Sequence, residues 1–216
     1  GFTGKLPWRG IGWYRKSFQV SKEDKGKQFY LDFDGAMAHA EVWLNGEKVG
    51  GHPYGYTSFR VDLTPSLSYG KENVVAVRLN TEKVGSRWYP GAGIYRHVRL
   101  VKTSPLHVDQ WGVFVTTPHI ADMEAEAKIY VKIRNHLPEQ QKGHYSVAIY
   151  ELDSEDRIGE KVSSCNSPVL YFPANTWMED SISLKVLSPK RWSLEETNRY
   201  LVQVTVYKGK KKVDQY

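Results

Sequence analysis

The chain has 216 residues, of which 40% are hydrophobic and 25% are charged, and its formal net charge is +6. This length suits one large β domain or two domains of about 100 residues each. The sequence argues against a protein with membrane-spanning helices, because no apolar run approaches the ~20 residues that span a bilayer. It also argues against a nucleic-acid-binding protein, because no such motif accompanies the basic charge. A disulfide-stabilised fold is excluded, because the single cysteine cannot form an internal disulfide.

The two ends of the sequence suggest part of a longer protein. The chain opens on Gly1–Lys5 without an initiating methionine or a signal-peptide pattern, and it stops at Asp214–Tyr216 within a predicted strand. We therefore expect a processed chain or a piece excised from a longer one.

An alternation of apolar and polar residues with period two dominates the sequence and predicts an all-β protein. Each run is short, rich in β-branched or aromatic residues, and bounded by Gly, Pro, Asn or Asp. In chain order the runs cover residues 29–34, 75–79, 94–101, 129–134, 182–186 and 202–206. Asn45-Gly46 supplies the positive φ angles of a type I′ turn, so residues 41–49 are predicted to form a β-hairpin.

Three features of the second half receive structural interpretations. Ser193–Glu196 fits a capping box, with room for about one turn of helix. Lys208–Lys212 is predicted to be a charged hairpin tip, which protects an edge strand rather than contacting nucleic acid. Cys165 lies in a predicted polar loop and is interpreted as an incidental thiol.

A domain boundary is predicted near residues 102–106, where Lys102–Pro105 separates two series of strands. We expect a jelly-roll-like sandwich over residues 1–103 and a smaller, seven-stranded sandwich over residues 104–216. Five tryptophans are expected to pack within or between these domains: Trp8, Trp13 and Trp43 in the first part, and Trp111 and Trp177 in the second sandwich.

The segment 85–100 carries the most chemistry. Residues 85–93 place two aromatics, one arginine, a proline and two closely spaced glycines in a turn, and the strand that follows adds Arg96 and Arg99. Glycine permits close backbone approach and proline fixes its angle. Exposed Trp and Tyr beside Arg would suit stacking on a sugar ring and hydrogen bonding to its hydroxyls. A β-corner whose aromatics fill the core is the alternative.

Three further motifs accompany this segment in the first half of the chain: Gly12–Phe18, Val42–Gly46 and Gly55–Thr64. Together the four resemble the N-terminal sugar-binding domain of the family 2 glycoside hydrolases, the β-galactosidase, β-glucuronidase and β-mannosidase group. The second half, with Trp192-Ser193 and Tyr200-Leu201, resembles the immunoglobulin-like domain that follows in that family.

The resemblance implies that the catalytic residues lie elsewhere. In the family, two glutamates on a (β/α)8 barrel flank the scissile bond, ~5–5.5 Å apart when configuration is retained, and the acid/base glutamate follows an asparagine. This sequence contains no Asn-Glu dipeptide. We therefore expect the non-catalytic N-terminal portion of a retaining exo-glycosidase, most like a β-galactosidase. The seven histidines are dispersed, so we expect no metal or other cofactor.

The resemblance also suggests site residues. The loop equivalent to residues 86–95 reaches the rim of the active-site pocket, where Arg87 would bond to hydroxyls or a barrel carboxylate and Trp88 would present an apolar face. Some family members hold substrate or sodium with an acidic residue here, and Arg87 argues against that metal role. The alternative for Arg87 and Trp88 is that they form a structural interface with the barrel and do not contact substrate. Apart from the resemblance, Tyr54 and Tyr56 are a candidate secondary sugar contact, because aromatics on one face of an extended segment can stack on a sugar. The resemblance favours the alternative, in which this stretch organises the sandwich.

Two other functions stay open, a free-standing carbohydrate-binding or adhesive module and a structural spacer. As partners we expect a β-galactoside or related glycoside and a downstream barrel of the same parent chain, but neither nucleic acid nor membrane. Galactoside, glucuronide and mannoside are not distinguished here, because the discriminating residues belong largely to the barrel. Family members commonly form dimers or tetramers and are often exported, so a homo-oligomer and a periplasmic or secreted location are the corresponding expectations.

Overall fold

The computed structural model describes residues 10–82 and 92–216 and divides the chain into two compact units, Gly1–Thr103 and Ser104–Tyr216. Within the described residues, regular structure is almost entirely β-strand, with short 3-10 turns at Lys22–Asp24 and Thr64–Ser66. No helix in this part of the chain is long and apolar enough to cross a membrane. The all-β sandwich fold predicted from the alternation is confirmed.

The first unit contains two main antiparallel sheets. One has the strand order β1-β7-β4-β5 and the other β6-β2-β9, while β3 pairs with β8. The strands are β1 (Ile11–Gln19), β2 (Gln28–Phe33), β3 (Ala36–Met37), β4 (Ala40–Leu44), β5 (Glu47–His52), β6 (Phe59–Asp62), β7 (Glu72–Asn80), β8 (Gly93–Ile94) and β9 (Val98–Thr103).

The period-two pattern forms the core of this unit. Inward residues of the two sheets are almost fully buried, and the rings of Phe33 and Phe59 stack with centroids 4.5 Å apart. Tyr30 breaks the alternation because it is also buried, under the Arg60 guanidinium 4.5 Å from its ring centre. Arg60 is held there by two bonds to the Asp32 carboxylate, of 2.6 and 2.7 Å. The core includes Phe29, Leu31, Phe33, Val42, Leu44, Val61, Val75, Val77 and Leu79.

The Asn45-Gly46 hairpin is confirmed, with positive φ angles of 53° and 89°. The Asn45 side chain also accepts a hydrogen bond from the Val74 N–H at 3.0 Å and donates one to Asn73 at 2.9 Å. The turn is therefore tied to β7. The continuous strand predicted over Ile94–Val101 is wrong, because Tyr95–His97 separates β8, which pairs with β3, from β9, which pairs with β2.

The second unit is built from the sheet β10-β11-β15 and the sheet β13-β12-β16-β17, with β14 also pairing with β12. Apolar residues from both sheets form its core, among them Ile129, Val131, Val147 and Val204. The strands are β10 (Leu106–Ile120), β11 (Glu124–Asn135), β12 (Gln141–Leu152), β13 (Ile158–Asn166), β14 (Leu170–Phe172), β15 (Thr176–Leu187), β16 (Arg199–Lys208) and β17 (Lys211–Gln215).

Some local predictions for this unit are confirmed and others are wrong. The lysine-rich hairpin between β16 and β17 is confirmed. The helix after Ser193 is wrong: the Ser193 hydroxyl accepts bonds from the N–H groups of Glu195 and Glu196, but the segment closes a tight turn bridged by Trp192 and Thr197. Cys165 lies exposed on β13 rather than in a loop.

The tryptophan predictions are also corrected. Trp111 is 68% exposed at a register shift of β10, and Trp177 is exposed on β15, where the Lys132 ammonium lies 4.1 Å from its ring centre. Trp13 is likewise exposed, on β1, so it does not lie in the core, whereas its packing against another domain stays a prediction. None of these three belongs to a core, and Trp8 lies outside the described residues.

Candidate functional site

The site residues predicted from the sequence are distributed over two segments of the first unit. Arg87 and Trp88 lie outside the described residues, so the described part of their segment is its stem, residues 92–97. Tyr54 and Tyr56 lie in the connection between β5 and β6, residues 53–58, which we call the tyrosine loop. The described site is therefore built from this loop and the stem.

Tyr54 and Tyr56 form an exposed aromatic pair. Their ring centroids are 5.5 Å apart, the planes are tilted by 58°, and the residues are 56% and 38% exposed. An accessible ring face beside a phenolic hydroxyl can pack on the apolar face of a sugar and hydrogen-bond to its edge. The pair can therefore contribute binding, though not bond cleavage.

The tyrosine loop is anchored at its base by the residues that enter and leave it. The His52 ring stacks on Phe59 with centroids 5.2 Å apart, and its Nε2 lies 2.8 Å from the Thr57 hydroxyl. The Pro53 carbonyl accepts a hydrogen bond from the His39 N–H at 3.0 Å. These contacts reduce the conformational entropy that the loop would lose on binding a ligand.

Gly55 packs so closely on Met37 that a side chain at this position would force Met37 to shift. A Cβ atom there would lie 2.3 Å from Sδ and 2.8 Å from Cε of Met37, which belongs to β3. Because Met37 pairs with Gly93 of β8, the loop packs directly on the ribbon that carries the stem. Glycine at this position is what permits the approach.

Tyr95 links the stem to the tyrosine loop. Its hydroxyl donates a hydrogen bond to the Gly55 carbonyl at 2.9 Å, and its ring lies over Gly35, where a Cβ would come within 2.8 Å of the ring carbon Cζ. Sequence reasoning missed this role and placed Tyr95 in a regular strand. The available signal was two glycines, at positions 35 and 55, that no turn required.

Charged groups lie next to this junction. Arg99 donates a bond of 2.6 Å to the Asp34 carboxylate, and His97 Nδ1 lies 3.9 Å from the same oxygen. The backbone closes the group, since the Asp34 N–H donates to the His97 carbonyl at 3.0 Å. The Asp34 carboxylate thus fixes the chain just beyond the stem. Within residues 10–82 and 92–216, no group of three or more His, Cys, Asp or Glu side chains is arranged to hold a metal.

Two family models match the chain one after the other. The model described as "Glycosyl hydrolases family 2, sugar binding domain" matches residues 7–104, and "Glycosyl hydrolases family 2" matches residues 106–216. The chain belongs to glycosyl hydrolase family 2. The tyrosine loop and the stem both lie in the part of this family 2 chain that matches the sugar-binding model.

Curated relatives are much longer than this family 2 chain. A β-galactosidase of Bacteroides ovatus is 38% identical over 99% of the chain, which spans 24% of that protein. A protein of Formosa agariphila named as a putative β-glucuronidase is 35% identical over 95% of the chain, which spans 19% of it. The chain thus covers a quarter or less of these relatives.

Solved structures show the same arrangement of strands. A family 2 member from Bacteroides cellulosilyticus superposes with a TM-score of 0.86 at 34% identity, over 96% of this chain and 26% of that one. A β-glucuronidase from Bacteroides uniformis superposes with a TM-score of 0.85 at 27% identity, over 97% of this chain and 26% of its own.

Proposed function

We propose that the chain is the non-catalytic N-terminal portion of a retaining family 2 exo-glycosidase, a β-galactosidase, and that its first unit supports and rims the active site. The reacting carboxyl groups would belong to a (β/α)8 barrel elsewhere in the parent protein. Membership of the family and the much greater length of the relatives support this assignment. The 38% identity to a protein of Bacteroides ovatus that is named a β-galactosidase supports a galactoside rather than a glucuronide as the substrate of the parent protein.

The observation that carries the rim role is the hydrogen bond between Tyr95 and Gly55. This bond connects two segments. One is the stem of the segment that contains Arg87 and Trp88, and the other is the tyrosine loop, which contains Tyr54 and Tyr56. We infer that the two segments act as one rim, in which the tyrosine pair packs against the sugar. Arg87 would bond to hydroxyls and Trp88 would offer an apolar face.

The substrate assignment is tested with nitrophenyl glycosides on the intact parent enzyme. We expect hydrolysis of the β-galactoside, little hydrolysis of the β-glucuronide, and no activity from the 216-residue chain alone. Preferential cleavage of the glucuronide would overturn the galactosidase assignment. A parent gene without a barrel would instead favour a free-standing carbohydrate-binding module.

The rim role is tested separately by kinetics of variants of the parent enzyme. Tyr54→Ala, Tyr56→Ala, Arg87→Ala and Trp88→Ala should raise KM, because each removes a contact to bound substrate. Tyr171→Ala is a matched control, since Tyr171 is 56% exposed, as Tyr54 is, but lies on β14 of the second unit. Unchanged kinetics in all four variants would reduce the first unit to a structural spacer.

A further inference from the structure

The outer face of the sheet β1-β7-β4-β5 carries an unusual combination of aromatic and charged side chains. The strand register places Trp13 opposite Arg78, and Arg78 opposite Glu41. Neighbours of these residues, such as Val42 and Val77, point into the core. Because side chains alternate along a strand, the row Trp13–Arg78–Glu41 lies on the face away from the core.

Two tryptophans meet on this face. The rings of Trp13 and Trp43 have centroids 5.1 Å apart and are tilted by 41°, although strand β7 runs between their own strands. The residue of β7 in register with Trp43 is Ala76, whose small side chain leaves room for this contact. Trp13 nevertheless stays 46% exposed, so much of the indole is available to a ligand.

Cations surround the tryptophan pair. The Arg15 guanidinium lies 5.4 Å from the Trp13 ring centre, and the Lys48 ammonium lies 5.6 Å from that of Trp43. Lys48 and Arg78 both bond to the Glu41 carboxylate, Arg78 at 2.7 Å. Arg15 adds a third cation beside Trp13, whereas the carboxylates nearby are Glu41 and Glu82, which accepts a bond from Asn80. This surface therefore keeps a net positive charge.

The charged row opens into a cleft of about 510 Å³. Its walls include Glu41, Lys48 and Arg78, which the ion pairs hold in place. Pro53 at the start of the tyrosine loop and Asn80 at the end of β7 also line it. An open concave surface with fixed polar groups beside an exposed aromatic ring can hold a polar ligand such as a sugar.

We propose that this outer face is an accessory binding site for acidic oligosaccharides. One sugar ring packs on Trp13 and the next enters the cleft, where its hydroxyls meet Glu41 and Arg78. A carboxylate on the glycan faces Arg15 and Lys48, so charge complementarity favours a uronic-acid chain over a neutral one. This site needs no residue of the barrel, and although its cleft shares Pro53 with the tyrosine loop, Trp13 and Arg15 lie on β1, outside the proposed rim.

The test is a titration of the 216-residue chain with tetragalacturonate, followed by the indole N–H resonances of its seven tryptophans. We expect the resonances of Trp13 and Trp43, assigned from Trp13→Phe and Trp43→Phe, to move selectively. Affinity should fall as salt is added, since exposed charges are screened. Fully methyl-esterified tetragalacturonate, which keeps the linkages but is neutral, should bind at least about tenfold more weakly than the acidic tetramer.

Matched variants locate the site. Trp13→Ala should weaken binding about tenfold or more and Arg15→Gln less, whereas Trp111→Ala, which removes a more exposed tryptophan of the second unit, should leave affinity unchanged. Retained dispersion of the amide spectrum shows that a variant is folded. If Trp13→Ala does not fold, Trp13→Phe replaces it as the test variant, because phenylalanine keeps an aromatic ring of smaller area. Absence of selective shifts, or equal affinity of Trp13→Ala and the parent chain, would overturn the site. Equal affinity for the neutral and the acidic tetramer would overturn the proposed preference for acidic oligosaccharides.

Discussion

Tyr95 donates its phenolic hydrogen to the carbonyl oxygen of Gly55, 40 positions earlier in the chain, across 2.9 Å. This bond joins the stem of one loop to the middle of another, and no strand pairing connects the two residues directly. Together with the packing of Gly55 on Met37, whose strand pairs with β8, this bond couples the positions of the two segments.

Tyr95→Phe should lower the free energy of unfolding of the first unit by about 0.5–1.5 kcal/mol, because the Gly55 carbonyl loses its donor while ring packing is kept. Urea denaturation measures the change. Tyr54→Phe is the control, since Tyr54 is exposed and contacts Tyr56 by its ring. Equal losses in both variants would show that the Tyr95 hydroxyl contributes nothing specific.

Gly55→Ala should cost about 1–3 kcal/mol, because the new Cβ would overlap the Met37 side chain and lie 3.0 Å from its Cα, so that buried Met37 or the loop must shift. Gly12→Ala is the control: nothing lies within 4 Å of the added atom. Thermal unfolding of both variants gives the comparison. Met37→Ala should recover part of the loss in the double variant, and strictly additive effects would contradict the proposed overlap.

Most of the framework follows from local sequence. The alternation at Phe29–Phe33 predicts which residues are buried, since the side-chain period of a strand is two. The Asn45-Gly46 turn is predicted because few other dipeptides tolerate positive φ at both positions. Both features depend on neighbouring residues, and a single sequence carries that information.

Features that depend on distant residues are not predicted. The break at Tyr95–His97 follows from the need of β8 and β9 to pair with different strands, β3 and β2. Trp111 turns outward because β10 shifts register between Val108 and Val113, with a φ of 52° at Trp111. The contact of Tyr95 with Gly55 is of the same kind, since only the folded chain brings the two together.

Asp214→Asn should leave the second unit as stable as the parent chain at pH 7, or more stable. Burial raises the pKa of Asp214 above its usual 3.8, even though the carboxylate accepts the Val108 N–H at 2.9 Å. Its contribution to stability is therefore full below pH 3.8 and is lost as the pH rises through the folded-state pKa. Asparagine keeps an acceptor oxygen and does not ionise.

Asp214→Leu is the matched variant for this prediction. It removes both the ionisation and the acceptor, so the Val108 N–H is left unsatisfied and stability should fall by about 1–3 kcal/mol. Urea denaturation at pH 3.5 and pH 7 separates the two effects. If the asparagine variant lost as much as the leucine variant at pH 7, the charge rather than the acceptor would be the stabilising element.

Tyr145→Phe should destabilise the second unit by about 1–3 kcal/mol at pH 7, because the buried Tyr145 hydroxyl donates to Asp180 at 2.9 Å and bridges β12 to β15. Burial, reinforced by that bond, raises the pKa of Tyr145 above its usual 10.0. The stabilisation is therefore complete below pH 10 and declines above it, with a slope of up to ~1.4 kcal/mol per pH unit.

Denaturation curves at pH 7 to 11 test this dependence. The free energies of unfolding of the parent and Tyr145→Phe chains should converge as the pH rises, while the control Tyr171→Phe stays as stable as the parent. A gap that stayed constant to pH 11 would mean that the hydroxyl does not titrate on unfolding.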